Sequence, residues 1–142
     1  VIGLAKKIQS QATSNVSNVS QLAAESALKN GLDVTNEMKI AFQRRRNYAI
    51  EKLESIKNVS VVNGSGAFYL YVDVSYYCTG EFSNINSSED FCNWLIENYF
   101  IAFVPGEVFG TNGFMRLSYA LSDQELEEGL ERLNKAINDL NG

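Results

Sequence analysis

Two apolar runs near the end of the chain are separated by a loop that concentrates its only proline and three of its ten glycines. Val104-Pro105-Gly106-Glu107-Val108-Phe109-Gly110 leads through Thr111-Asn112-Gly113 into Phe114-Met115-Arg116-Leu117-Ser118-Tyr119-Ala120. The pattern dictates a strand, a proline-glycine turn and a second strand. Alternation in the second strand puts Phe114, Arg116, Ser118 and Ala120 on one face and Met115, Leu117 and Tyr119 on the other. Arginine carries a permanent charge on a planar fork of donors. Burying it among apolar neighbours is costly unless an anion meets it. The fold must therefore leave the Arg116 face wet or bring a negative group to it.

The rest of the chain supplies a helical frame. Helical spacing is expected from Val1 to about Gln9 and again from Asn18 or Ser20 to Lys29, with Gly31 at the stop. A long helix starts at Asp33 or Thr35, its apolar positions being Val34, Met38, Phe42, Ala49, Leu53 and Ile56. Val59, Val61 and Val62 lead into Asn63-Gly64-Ser65-Gly66, a turn signal, and Ala67 to Val74 then alternates with period two. Phe68, Leu70, Val72 and Val74 fall on one face of that strand, and Ala67, Tyr69, Tyr71 and Asp73 on the other. Ser75 to Asn86 reads as a long polar loop, of a length that suggests a functional or mobile segment. Ser87 with Asp90 marks a helix start, with Phe91, Leu95 and Tyr99 as its buried stripe. Phe100 to Val104 is expected to be a short strand central in its sheet. Ser122-Asp123-Gln124-Glu125 is a capping-box signature before Leu126, Leu130, Leu133, Ile137 and Leu140. The sum predicts an α+β fold: a small, mainly antiparallel sheet with helices packed on one face, preceded by interdomain helices.

Composition removes several chemistries. With 142 residues there is room for one domain with a sizeable core. A net charge of −5 argues against nucleic acid as a partner, and Arg44-Arg45-Arg46 reads as a solvated helix face. There is no histidine, so neither a Ser-His-Asp system nor a histidine metal site is available, and no metal is expected. Cys78 and Cys92 lack metal or redox spacing and read as reduced thiols. No apolar run suits a bilayer and no signal-peptide pattern is present, so the expected setting is soluble and cytoplasmic, without a membrane partner.

Taken together, the loop and strand from Val104 to Ala120 closely resemble the carboxylate-binding end of the pyridoxal-phosphate-dependent aspartate aminotransferase family, class I and fold type I. Gly66-Ala67-Phe68-Tyr69 is similar to the family's opening of its small-domain sheet, although Ser65 stands where many members have proline. Gln9 to Asn15, Gln21, Ala23-Ala24, Met38, Phe42 and Arg44-Arg45 resemble its interdomain and long helices. The resemblance implies an interdomain helical segment at 1–31 and a carboxy-terminal small domain at 32–142. It implies that Arg116 binds the substrate α-carboxylate and that Pro105, Gly106, Phe109, Gly110 and Gly113 form a substrate loop. It implies amino-group transfer between aspartate and 2-oxoglutarate by a homodimer of the complete enzyme. It further implies that pyridoxal phosphate is held mainly by an upstream domain that carries the Schiff-base lysine, so that this portion is inactive alone.

On spacing alone, Arg116 also reads as an exposed arginine on the wet face of a strand. Two alternatives to the aspartate reading stay open at this stage. One is an aminotransferase of the same family for an aromatic amino acid, alanine or a prephenate-type acid. The other is a free-standing α+β module that binds an amino acid for regulation and catalyses nothing.

Overall fold

The computed structural model describes residues 1–142. Its elements run α1 (Ile2–Ala12), α2 (Asn18–Asn30), α3 (Leu32–Glu54), β1 (Ser60–Val62), β2 (Tyr69–Asp73), α4 (Ser88–Tyr99), β3 (Val104–Pro105), β4 (Phe114–Ser118) and α5 (Asp123–Asn141). One four-stranded sheet has the order β1-β2-β4-β3, and every neighbouring pair is antiparallel. This is the α+β class that the sequence pattern indicated. No helix is long and apolar enough to cross a membrane.

The chain divides into two compact units, Val1–Ile40 and Ala41–Gly142, the division falling within α3. In the first unit, α1 and α2 bury no residue, and Val34 and Met38 on α3 are exposed. Ser17 caps α2 by accepting a hydrogen bond from the Ser20 N–H. Gly31 ends α2 with φ −89, so it is not there to supply a left-handed turn. A side chain at Gly31 would instead place its Cβ 2.4 Å from the Ala27 carbonyl oxygen, which only glycine avoids.

The second unit is held by a sheet whose two faces differ. Leu70, Val72, Met115 and Leu117 are buried on the core side. Tyr69, Tyr71, Asp73, Phe114, Arg116 and Ser118 form the other, half-buried side. Ala49 and Leu53 of α3, Phe91 and Leu95 of α4, and Leu126, Leu130, Leu133 and Ile137 of α5 join the same core. The capping box at α5 is complete: the Ser122 hydroxyl accepts from the Glu125 N–H, and the Glu125 carboxylate accepts from the Ser122 N–H. Asp123, in the first turn, pairs with Arg44 at 2.5 Å and Arg45 at 2.7 Å, tying α5 to α3. The Arg45 guanidinium first, against an opposing effect of burial, and then Arg44 hold the Asp123 carboxyl below the usual carboxylate range.

Three expectations need correction. The apolar run from Phe100 to Val104 is not a central strand. Phe100 adopts φ 56 to end α4 and is largely exposed, Ile101 goes into the core, and only Val104 and Pro105 pair, at the sheet edge. Hydrophobicity there reflects packing of Ile101 and Phe103 against the common core rather than burial within a sheet. The second strand begins at Tyr69 rather than Ala67, because Ala67 has φ 60 and breaks the ladder, leaving Phe68 exposed. That turn is tied instead through Tyr119, whose hydroxyl donates to the Ala67 carbonyl at 2.8 Å and whose N–H donates to the Phe68 carbonyl at 3.0 Å. The loop from Ser75 to Asn86 is not merely polar, since Tyr77 and Ile85 are fully buried in it. Tyr77 packs on Phe82 and Phe91, donates to the Lys57 carbonyl and plugs the end of the core.

Leu133 has no exposure, whereas Leu121 is 42% exposed. Leu133→Ala is therefore expected to cost about 2–5 kcal/mol by leaving a cavity, and Leu121→Ala less than about 0.5 kcal/mol, measured as urea unfolding of the two variants side by side.

Candidate functional site

Arg116 occupies the middle of β4, in register between Tyr71 on β2 and Val104 on β3. Being directly opposite, Tyr71 shares its face, together with Tyr69 and Asp73 on β2 and Phe114 and Ser118 on β4. Asp73 is the one carboxylate among these residues, and its Oδ1 accepts the Ser75 N–H at 2.9 Å. The chain's ion pairs are Lys29–Glu25, Arg44–Asp123, Arg45–Asp123 and Arg132–Glu128, so no carboxylate of the chain neutralises Arg116. What meets its guanidinium is aromatic: the carbon centre lies 4.3 Å from the Tyr69 ring centroid and 4.9 Å from that of Phe109. Such contacts favour a cation by about 0.5–2 kcal/mol without consuming its N–H donors. The arrangement leaves a planar, permanently charged donor set on a half-buried surface, suited to a carboxylate.

The loop that delivers Phe109 is tightly built. After Pro105, a single 3-10 turn covers Gly106–Phe109, and Gly110 closes it with φ 77. The Gly110 N–H donates to the Glu107 carbonyl and the Thr111 N–H to that of Gly106, both at 2.9 Å. Gly106 is a matter of space: a Cβ there would lie 2.2 Å from the Thr111 oxygen, 2.7 Å from the Phe114 oxygen and 2.8 Å from the Tyr71 hydroxyl. Gly113 combines φ 76 with a Cβ position 2.7 Å from the Ser75 side chain, and its carbonyl accepts the Val74 N–H. Gly110 needs only its left-handed conformation, since nothing crowds it. Pro105 pairs with Met115, which puts it on the sheet face away from Arg116, where it shapes the turn.

Of the residues singled out in the sequence, Arg116 and Phe109 are thus brought into contact, and Gly106 is packed against Tyr71, Arg116's direct neighbour. Pro105, Gly110 and Gly113 shape the loop from further away. Tyr71, not singled out, stacks on Phe114 with ring centroids 5.1 Å apart and meets Phe109 edge-on. Its buried hydroxyl has no protein partner. Glu107 is the residue that sequence reasoning missed. Its carboxylate accepts the Ser88 N–H at 2.9 Å and the Ser88 hydroxyl at 2.5 Å, fastening the loop to the first turn of α4. Burial alone would raise the Glu107 pKa, but the Ser88 hydroxyl and the surrounding backbone N–H groups outweigh it and hold the carboxyl below its ordinary value. Nothing in the local sequence links positions 88 and 107; only the capping pattern at Ser87 hinted that this helix end attracts acids.

The thiols take no part. Both cysteines are free, and burial first, then nearby carboxylates including Glu107, push Cys78 up to about 11. Burial, with smaller contributions from Glu107 and Cys78, pushes Cys92 up to about 12. Thiols of that kind are poor nucleophiles near neutrality.

With this geometry described, the chain can be set beside known proteins. The model of the family described as aminotransferase class I and II matches residues 1–133. A probable aspartate/prephenate aminotransferase of Aquifex aeolicus is 43% identical over 135 residues, covering 94% of this chain and 33% of the relative. The crystal structure of an aspartate aminotransferase from Rhizobium meliloti superposes with a TM-score of 0.84 at 38% identity, over 94% of this chain and 34% of that one. An aromatic aminotransferase from Pyrococcus horikoshii gives 0.83 at 28% identity, over 94% and 35%. The chain spans about a third of the length of the curated relatives it matches.

Glu107 carries a testable consequence. Because its folded pKa lies below the ordinary 4.5, its contribution to stability is fully present above that value and is lost as pH falls through the folded pKa. Glu107→Gln is expected to lower the urea midpoint near pH 7. Between pH 7 and about pH 3 the variant should then lose less stability than the parent, as followed by circular dichroism.

Proposed function

This chain belongs to the class I and II aminotransferase family, and from that membership we propose that it is the carboxylate-gripping part of an aspartate aminotransferase-like enzyme. The complete enzyme would transfer an amino group between aspartate and 2-oxoglutarate, with Arg116 holding the α-carboxylate common to both. The observation that carries this reading is Arg116 itself: a guanidinium at mid-strand, aligned by two aromatic rings and left without a carboxylate of its own chain. Two parallel N–H···O bonds from one planar fork to one carboxylate fix the substrate's orientation as well as its position.

The loop from Pro105 to Gly113 would cover that contact, with Phe109 over the guanidinium and Gly106 allowing the backbone to lie against Tyr71. Excluding water there strengthens the ion pair that forms when substrate arrives. In domain terms we read 1–31 as interdomain helices and 32–142 as the small domain. The complete enzyme is read as a cytoplasmic homodimer.

Pyridoxal phosphate supplies the electron sink in this family's reaction. The residues around Arg116 do not suit its cradle. No strand of the sheet carries a lysine, so nothing on the Arg116 face can form the covalent link. The ends of α4 and α5 that face an anion in other phosphate sites are already filled, by Glu107 with Ser87 and by the Ser122–Glu125 box. The cofactor and its lysine are therefore assigned to the other two thirds of the enzyme, and this portion to substrate binding. A prephenate-type oxo acid is a second acceptor reading, favoured by the name of the Aquifex aeolicus relative.

The test is Arg116→Lys in the complete enzyme. Lysine keeps the charge but loses the two-point grip. A drop of about tenfold or more in kcat/KM is expected for both aspartate and 2-oxoglutarate, on the order of one charge-assisted hydrogen bond. Amines lacking the α-carboxylate should change little. Equal losses on all substrates would make Arg116 a structural residue.

A further inference from the structure

The contacts of Arg116 pose a question that carboxylate binding alone does not answer: what keeps an unpaired guanidinium in one orientation before substrate arrives. Its long side chain has several rotatable bonds and no acidic partner in the chain. The rings of Tyr69 and Phe109, 4.3 Å and 4.9 Å away, are its closest cationic contacts. They come from different elements, Tyr69 from the start of β2 and Phe109 from the end of the 3-10 turn. Phe109 is itself placed from two sides. Its turn is fastened to α4 by Glu107 on Ser88, and its ring meets Tyr71 edge-on at 6.3 Å.

We propose that Phe109, with Tyr69, is a positioning residue that displaces water from the Arg116 guanidinium and holds it with its N–H edge free for a planar carboxylate. The inference rests on the carboxylate-binding reading of Arg116 and deepens it, since it names what sets the grip. An aromatic face attracts a cation without accepting its N–H bonds, so it orients the fork and leaves the donors available. A carboxylate side chain in the same place would occupy those donors, and an aliphatic one would give no directional attraction. Phe109 is also the contact that can be altered cleanly. It is 48% exposed and lies outside the core, whereas Tyr69 also packs on Phe68 at 4.4 Å.

The experiment compares Phe109→Leu and Phe109→Tyr in the complete enzyme by steady-state kinetics, with Arg116→Lys run in parallel. Leucine keeps an apolar side chain but removes the aromatic face; tyrosine keeps the face. Phe109→Leu should raise KM for aspartate and 2-oxoglutarate by about three- to tenfold with kcat within about twofold. Phe109→Tyr should stay near the parent, and an amine without the α-carboxylate should be unaffected. An unchanged KM in Phe109→Leu, an equal rise for the decarboxylated amine, or a Phe109→Tyr enzyme as impaired as Phe109→Leu would overturn the inference. If Arg116→Lys is impaired while Phe109→Leu is not, only the positioning role falls. If Arg116→Lys is also unimpaired, the carboxylate-binding reading falls with it.

Discussion

A permanent positive charge in the middle of a sheet is the constraint around which the second unit is arranged. Arginine keeps its charge in proteins, so the fold must accommodate the guanidinium where it stands. It has put the charge on the half-buried side of β4, kept the core side of the same strand for Met115 and Leu117, and surrounded the guanidinium with ring faces. The alternation of one strand thus serves two purposes at once. Odd-numbered positions from Met115 to Tyr119 hold the core, and even-numbered positions from Phe114 to Ser118 form the half-buried face that carries Arg116.

The loop before β4 follows from the same demand. For Phe109 to reach Arg116, the chain must turn within a few residues of Val104, which itself pairs with Arg116. Gly106 makes this possible by lying where any side chain would strike Thr111, Phe114 or Tyr71. Glu107 then fastens the turn to α4, using the helix's own unpaired N–H group and a buried serine hydroxyl as the anchor. Helix start, loop and strand thereby act as one piece, and the aromatic contact on Arg116 depends on all three.

How much of this was legible in the sequence differs by element. Helix α5 could be read in full, because a capping box and a run of leucines at helical spacing are local signals, and so could the alternation around Arg116. The edge position of β3 could not. Ile101 and Phe103 are apolar because they pack against the common core just before an edge strand, and hydrophobicity alone does not distinguish that from a central strand. The glycines of the loop were visible, but their separate reasons were not: Gly106 answers to atoms of Thr111, Phe114 and Tyr71, which only the folded chain brings near. Glu107 was invisible for the same cause, since its partner Ser88 lies on another element. Long-range contacts of single polar atoms leave no periodicity to read.

The relatives match nearly all of this chain while their names point to aspartate, prephenate and aromatic substrates. The proposed grip on the carboxylate that amino acids have in common is consistent with that spread. The most direct test is a crystal structure of the complete enzyme with 2-methylaspartate, which keeps both carboxylates of aspartate. The account predicts the α-carboxylate in two parallel hydrogen bonds to the Arg116 guanidinium, each about 2.7–2.9 Å, with the rings of Tyr69 and Phe109 still packed against it. An α-carboxylate held by another residue, with Arg116 turned to solvent or paired to a protein carboxylate, would contradict it.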